Sequence, residues 1–219
     1  MQIIWHGQSF FEIVAKTISG EVKIAIDPFG DDVGLKIPKA QADILIISHD
    51  HSDHNNVKAV SGDYFLIDSA GEYNIKDVFV QGIAAFHDDK SGKERGEVLI
   101  SKIEVEDMTL CHLSDLGQKE LTPEQIDAIG EIDILLIPVG GKFTVDAKDA
   151  SEIVSQIEPK IVIPMHYKID GLKLELDGID KFLKVMGEEK IAPLPKLKVS
   201  TKDLPNDDDD ETKIVVLEP

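Results

Sequence analysis

Short apolar runs, some alternating and some continuous, recur along this chain between polar turns. Residues 2–6 and 10–14 read as two strands joined by a Gly7–Gln8–Ser9 turn. "VKIAIDP" at 22–28 predicts a third strand, stopped by Asp27–Pro28. "ADILIIS" at 42–48 is a continuous apolar run of strand length and reads as a buried strand. One or two helical turns follow in "NNVKAVSG", closed by Gly62, and residues 64–68 and 77–86 read as short strands. The segment 96–115 predicts a hairpin with arms 97–104 and 108–113, turned at Glu106–Asp107.

Helix signals begin later. Thr122 is an N-cap, Pro123 fits the first helical position, and Glu124 and Gln125 follow, so 121–130 reads as a helix. Residues 132–141 form another buried strand ending in glycines. Asp146 caps a helix through about 157, ended by Glu158–Pro159. "KIVIPMHY" at 160–167 is a strand with a histidine just past its end. A helix at 177–187 and a strand in "TKIVVLEP" complete the pattern. Strands dominate the first half and strand–helix alternation the second. That order predicts two sheets with helices packed outside them, in a single domain over 1–219.

One stretch departs from the pattern. "ISHDHSDHNN", residues 47–56, holds three of the chain's seven histidines in six positions, at the end of a buried strand. It reads His49-x-His51-x-Asp53-His54, and imidazole nitrogen and carboxylate oxygen are the ligand types zinc takes at neutral pH. Alternate side chains of an extended segment share a face, so His49 and His51 can meet at one ion. Asp53 and His54 lie where the chain turns and can aim at a second point. Four such groups on so short a loop would strain one closed tetrahedral shell, so two sites completed from elsewhere fit better. His87, Asp115 and His166, each at or beyond a strand's end, are the candidates to complete them.

Composition narrows the partners. The chain has 219 residues, 42% hydrophobic and 30% charged, with a net charge of −19. That charge disfavours nucleic acid, whose phosphates need clustered Lys or Arg. It leaves room for a small anionic substrate, because a bound metal reverses the local field. Arg95 is the only arginine, so the chain has at most one bidentate clamp for phosphate or carboxylate. No apolar run reaches the ~18 residues of a membrane span, and the start "MQIIWHGQSF" has no signal-peptide pattern. The single cysteine, Cys111, reads as a buried core residue and fits a reducing cytoplasm. The run "NDDDDE" at 206–211 reads as a solvated surface loop.

His49-x-His51-x-Asp53-His54, then His87, Asp115 and His166, resembles the five-motif metal site of the metallo-β-lactamase fold superfamily. "WHGQSFFEI", "AIDPF" at 25–29, "IPVGGKFT" and "IVIPMHY" are similar to its small metal-dependent hydrolase branch, which includes L-ascorbate-6-phosphate lactonase and zinc-dependent hydrolases. The resemblance implies an α/β (α+β) fold, a four-layer αββα sandwich. It implies that His49, His51 and His87 hold one ion, that Asp53, His54 and His166 hold another, and that Asp115 bridges them. The implied cofactors are two divalent ions, zinc first, with manganese or iron as alternatives. The chain departs from the branch at "HLSDLG": Ser114 and Leu116 stand where it usually has glycine and threonine, while Asp115 is kept.

The implied function is a hydrolase in which a metal-bridging hydroxide attacks an ester, lactone or phosphoester of a small substrate, with Asp53 both ligand and orienting group. His112 is a candidate proton donor or substrate anchor, or else a packed histidine. His6 reads as packed, and Lys142 as solvated rather than anion-binding. The alternatives are an iron-dependent redox enzyme of the same fold, a non-catalytic metal-binding module, and a nuclease. Against the second, two adjacent sites sharing an open position are unlike a closed structural site. The expected partner is a small molecule, with no nucleic acid and no membrane; the sequence is silent on oligomeric state.

Overall fold

The computed structural model describes residues 1–205 and 212–219; the "NDDDDE" run lies outside the described residues. The strands of the first half are β1 (Gln2–Trp5), β2 (Phe11–Thr17), β3 (Gly20–Ile26), β4 (Ala40–Gln41), β5 (Ile44–Ile46), β6 (Val60–Ser61), β7 (Phe65–Ile67), β8 (Gly71–Ile75), β9 (Val78–Phe86), β10 (Glu97–Val105) and β11 (Met108–His112). Then come α1 (Pro123–Ile129), β12 (Ile134–Pro138), α2 (Ala147–Ile157), β13 (Ile161–Met165), α3 (Ile179–Val185), β14 (Leu197–Lys198) and β15 (Lys213–Ile214).

Two sheets form the body of the fold. One has the order β14-β1-β2-β3-β5-β7 and the other β15-β13-β12-β11-β10-β9-β8. The first is antiparallel from β14 to β3 and parallel from β3 to β7. The second is antiparallel from β8 to β11 and parallel from β11 to β15. As a result β3, β5 and β7 point one way in the first sheet, and β9, β11, β12 and β13 share a direction in the second.

Alternation assigns the faces. In the first sheet Ile24, Ile26, Ile44, Ile46 and Ile67 join the large core that also contains the second sheet's side chains. Their neighbours Ala25, Leu45 and Ile47 enter a smaller core with Phe10, Phe29, Val33 and Leu172. That outer core is covered by loops and short 3₁₀ turns at Asp31–Val33 and Val57–Ala59. The helices serve the second sheet. Helices α1 and α2 cross between its parallel strands, and α3 packs on α2. Thr122 and Gln125 form a capping box at α1, and the Asp146 carboxylate accepts the N–H groups of Lys148 and Asp149 at α2.

Cys111 points into the core with no exposure, and burial pushes its thiol up to about 12. A thiol reagent at pH 8 is therefore expected to leave the folded protein untouched and to label it fully once unfolded. Labelling of the folded protein within minutes would contradict this packing.

Candidate metal centre

The loop carrying the histidine cluster leaves β5 where the two sheets touch. The Ser48 carbonyl accepts the N–H of Leu99, in the second sheet, at 3.0 Å. The segment after β3 braces the loop from the other side. Gly30 donates to the Ser52 carbonyl at 2.9 Å, and Asn56 N–H to the Pro28 carbonyl at 2.8 Å. His87 follows β9, Asp115 lies just beyond β11, and His166 follows β13, so the second sheet delivers three groups to the same edge. The N–H of His166 donates to the Gln8 carbonyl at 3.1 Å, which ties that edge to the β1–β2 turn.

Two sets of ligand atoms result. One nitrogen from each of His49, His51 and His87 lies within 4.8 Å of the others, and so do single atoms of Asp53, His54, Asp115 and His166. Asp115 is the joint between them. Its Oδ2 lies 3.1 Å from His54 Nε2, 3.3 Å from His166 Nε2 and 3.6 Å from His87 Nε2. All seven residues picked out in the sequence therefore converge on one edge.

The backbone here is held away from its easy conformations. Gln8, Asp27, Ser114 and His166 all have φ near +50°, in the left-handed region. For residues with a Cβ this costs about 1 kcal/mol or more each, and such strain gathers at functional sites.

The imidazoles of the loop are oriented by groups to which the sequence assigns no role in the site. The buried Asp27 accepts from His54 Nδ1 at 3.0 Å and from the Ser48 N–H and hydroxyl at 2.8 and 2.6 Å. Ser48 Oγ in turn lies 2.9 Å from His49 Nδ1. Both rings thus have their Nδ1 engaged and their Nε2 turned toward the cluster, the usual support of a ligating histidine. In the sequence Asp27 stands as the residue that stops a strand before proline and as part of the "AIDPF" resemblance, with no role assigned to it. Gln8 Nε2 donates to Asp53 Oδ2, and Ser9 Oγ to Asp115 Oδ1, each at 3.3 Å.

The donor set suits a cation. His54 Nε2 and His166 Nε2 are buried without a hydrogen bond, although carboxylate oxygens lie close by. Three carboxylates, Asp27, Asp53 and Asp115, surround His54. Burial opposes its charge, but Asp115, Asp27 and Asp53 raise its pKa well above the ordinary imidazole value. Burial alone would raise the Asp115 carboxyl, yet His166 and His54 hold it far below the carboxylate range. Burial brings His49 down to about 3 and His87 to about 4, so both are neutral at pH 7, the form that binds a metal.

His112 and His6 lie apart from the two sets. His112 is fully buried, with Nε2 against the Ser9 carbonyl at 3.0 Å and Nδ1 accepting the Ser114 N–H at 3.1 Å. Both of its nitrogens are used on backbone, which leaves none for a substrate. His6 contacts Glu12 at 2.5 Å. Lys142 lies 3.6 Å from the exposed Glu175 and 5.9 Å from the centre of the Phe143 ring.

A cavity of about 330 Å³ opens onto the cluster. His51, Asp53, His87, Asp115 and His166 form its polar end, and Val33, Phe143 and Leu174 its apolar wall, with Asp32, Ser52 and Arg95 completing the lining.

A family model described as beta-lactamase superfamily domain matches residues 2–166. A UPF0173 metal-dependent hydrolase of Staphylothermus marinus is 31% identical over 201 residues, covering 75% of this chain and 82% of that protein. Another, from Thermoplasma acidophilum, is 28% identical over 221 residues, covering 88% of this chain and 95% of its own. Among solved structures, a candidate zinc-dependent hydrolase of the metallo-beta-lactamase superfamily from Thermotoga maritima is similar with a TM-score of 0.79 and 34% identity. The match covers 99% of this chain and 97% of that one.

Proposed function

This chain belongs to the beta-lactamase superfamily, and we propose that it is a dinuclear metal-dependent hydrolase acting on an ester, lactone or phosphoester of a small molecule. One observation carries the reading: two sets of ligand atoms, each within 4.8 Å, lie side by side and meet at Asp115. His49, His51 and His87 would hold one divalent ion; Asp53, His54 and His166 would hold the other, with Asp115 shared. Zinc is the first choice for this donor set, with manganese and iron as alternatives. Bound there, such ions supply Lewis acidity and a water acidified toward ~7.

The chain's own groups do the rest. Asp27, directly and through Ser48, fixes the tautomers of His54 and His49. Ser9 and Gln8 hold the Asp115 and Asp53 carboxylates against rotation. The Asp53 side chain is 20% exposed against 3% for Asp115, so it is the carboxylate that can also orient the attacking water. Of the readings the sequence leaves open for His112, its contacts support the packed one: by holding the Ser9 carbonyl and the Ser114 N–H it positions the loops that carry Asp115 and its partner Ser9. The buried single cysteine fits a reducing cytoplasm.

Metal analysis of the purified protein is expected to give about two divalent ions per chain. A screen of phosphodiesters, lactones, esters and thioesters should find turnover that His54→Ala lowers by roughly 100-fold or more. Well under one zinc, manganese or iron per chain would sink the proposal.

A further inference from the structure

The chain's one arginine faces this cavity. Arg95 lines the cavity together with His51, His87 and Asp115, and among the described residues it makes no ion pair. That is notable in a chain with 42 acidic residues against 23 basic ones.

Its position is fixed from both sides. The loop that carries it is built on Asp88, whose buried carboxylate accepts the backbone N–H groups of Lys90 at 2.8 Å, Gly92 and Glu94 at 2.9 Å, and Arg95 itself at 2.8 Å. The loop begins and closes at His87, whose N–H donates to the Gly96 carbonyl at 3.0 Å. Arg95 and the ligand-set residue His87 therefore ride on one braced loop. The guanidinium carbon sits 5.2 Å from the centre of the Phe143 ring. Lying over a ring limits its rotamers while leaving its N–H edge free for a planar anion.

We propose that Arg95 is the anion-binding residue of this cavity, and that the molecule bound there carries a carboxylate or phosphate group, separated by a short apolar stretch from the bond at the histidine–aspartate end. The naming of that bond rests on the hydrolase reading; the anion site does not. Val33, Phe143 and Leu174 supply the apolar lining that such a stretch would meet. About 330 Å³ is near the lower limit of ligand pockets, so the molecule is small. Asp32 also faces the cavity, but its carboxylate accepts from Ser52 Oγ at 2.5 Å rather than pairing with Arg95. Lys142 lies beside the same ring but 3.6 Å from the Glu175 carboxylate and outside the cavity lining, so Arg95 is the cation that faces the cavity.

A chain with one arginine has one arginine Nε–H signal, so its NMR assignment is unambiguous. Metal-free, ¹⁵N-labelled protein titrated separately with succinate and with inorganic phosphate should show a saturable shift of that signal and of the amides from His87 to Gly96. The tighter of the two probes identifies carboxylate or phosphate as the recognised group. Arg95→Gln should weaken the amide response at least about fivefold and Arg95→Lys less, because the charge survives but the fork does not. Metal-loaded enzyme is then compared on 4-nitrophenyl hemisuccinate and the neutral 4-nitrophenyl butyrate. Arg95→Gln should lower kcat/KM about 30-fold on the first and under about twofold on the second. Unsaturable drift of the Nε–H signal, or equal losses on both esters, overturns the anion site and leaves the hydrolase reading standing. A saturable, Arg95-dependent shift in a protein that cleaves neither ester, nor any bond of the wider screen, supports the anion site and overturns the hydrolase reading.

Discussion

Asp115→Asn is expected to retain at most about half of the bound metal and to lose roughly 1,000-fold in kcat/KM, equivalent to about 4 kcal/mol. Its carboxylate reaches both ligand sets: Oδ2 is within 3.6 Å of His54, His87 and His166. Asparagine keeps the shape, and Ser9 Oγ can still donate to its side-chain oxygen. It removes the negative charge that lies between three imidazoles, and one rotamer puts an amide N–H₂ where ligands should converge. The fold should survive, because the cores at that edge are unchanged; circular dichroism checks this on the same sample as the metal analysis. Full metal occupancy with activity within tenfold of the parent would overturn the bridging role proposed for Asp115.

The second large effect involves no ligand at all. A Cβ built on Gly117 falls 2.3 Å from the backbone carbonyl of His87, and one on Gly140 falls 2.1 Å from the carbonyl oxygen of His166. Neither neighbour is a side chain that can rotate away. Gly117→Ala and Gly140→Ala are therefore each expected to cost about 3 kcal/mol, a fall of roughly 6–12 °C in Tm. Gly178 is the control: nothing lies within 4 Å of the point a methyl group there would occupy, and Gly178→Ala should cost no more than about 1 kcal/mol. Thermal unfolding of the three variants decides it. Equal melting of all three would show that the loops behind His87 and His166 yield easily.

Much of this was legible in the residues, and the reason is local chemistry. The hairpin turn at Glu106–Asp107 has φ near +55° at both residues, the geometry that closes a two-residue hairpin. Both helix caps predicted from Thr122 and Asp146 are present, because a cap is a contact within a few residues of itself. The strand Gly71–Ile75 was missed. It lies at the sheet's edge, mostly exposed, so no apolar alternation marks it. The four-residue cluster at 49–54 declared itself by composition, and His87, Asp115 and His166 by standing at strand ends. Asp27 and Ser48 fell inside segments already picked out, but their roles could not be found that way. Their importance comes from lying beside His54 and His49 once β3 and β5 pair, which is a property of the sheet and not of any segment. Arg95 was visible as the chain's lone arginine, but its place over Phe143 depends on two loops far apart in sequence.

The direct hydrogen bond between Leu99 and the Ser48 carbonyl marks the edge where the two sheets meet. Four of the seven cluster residues come from the first sheet's loop and three from the second sheet's strand ends. A cation shared between those sets would be a clasp on the open side of a book, and a reversible one. It would close long stretches of chain in the way a disulfide does, in a protein whose lone thiol is buried and cannot form one. Supply of the ion would then govern how long the molecule survives proteolysis as well as how fast it turns over.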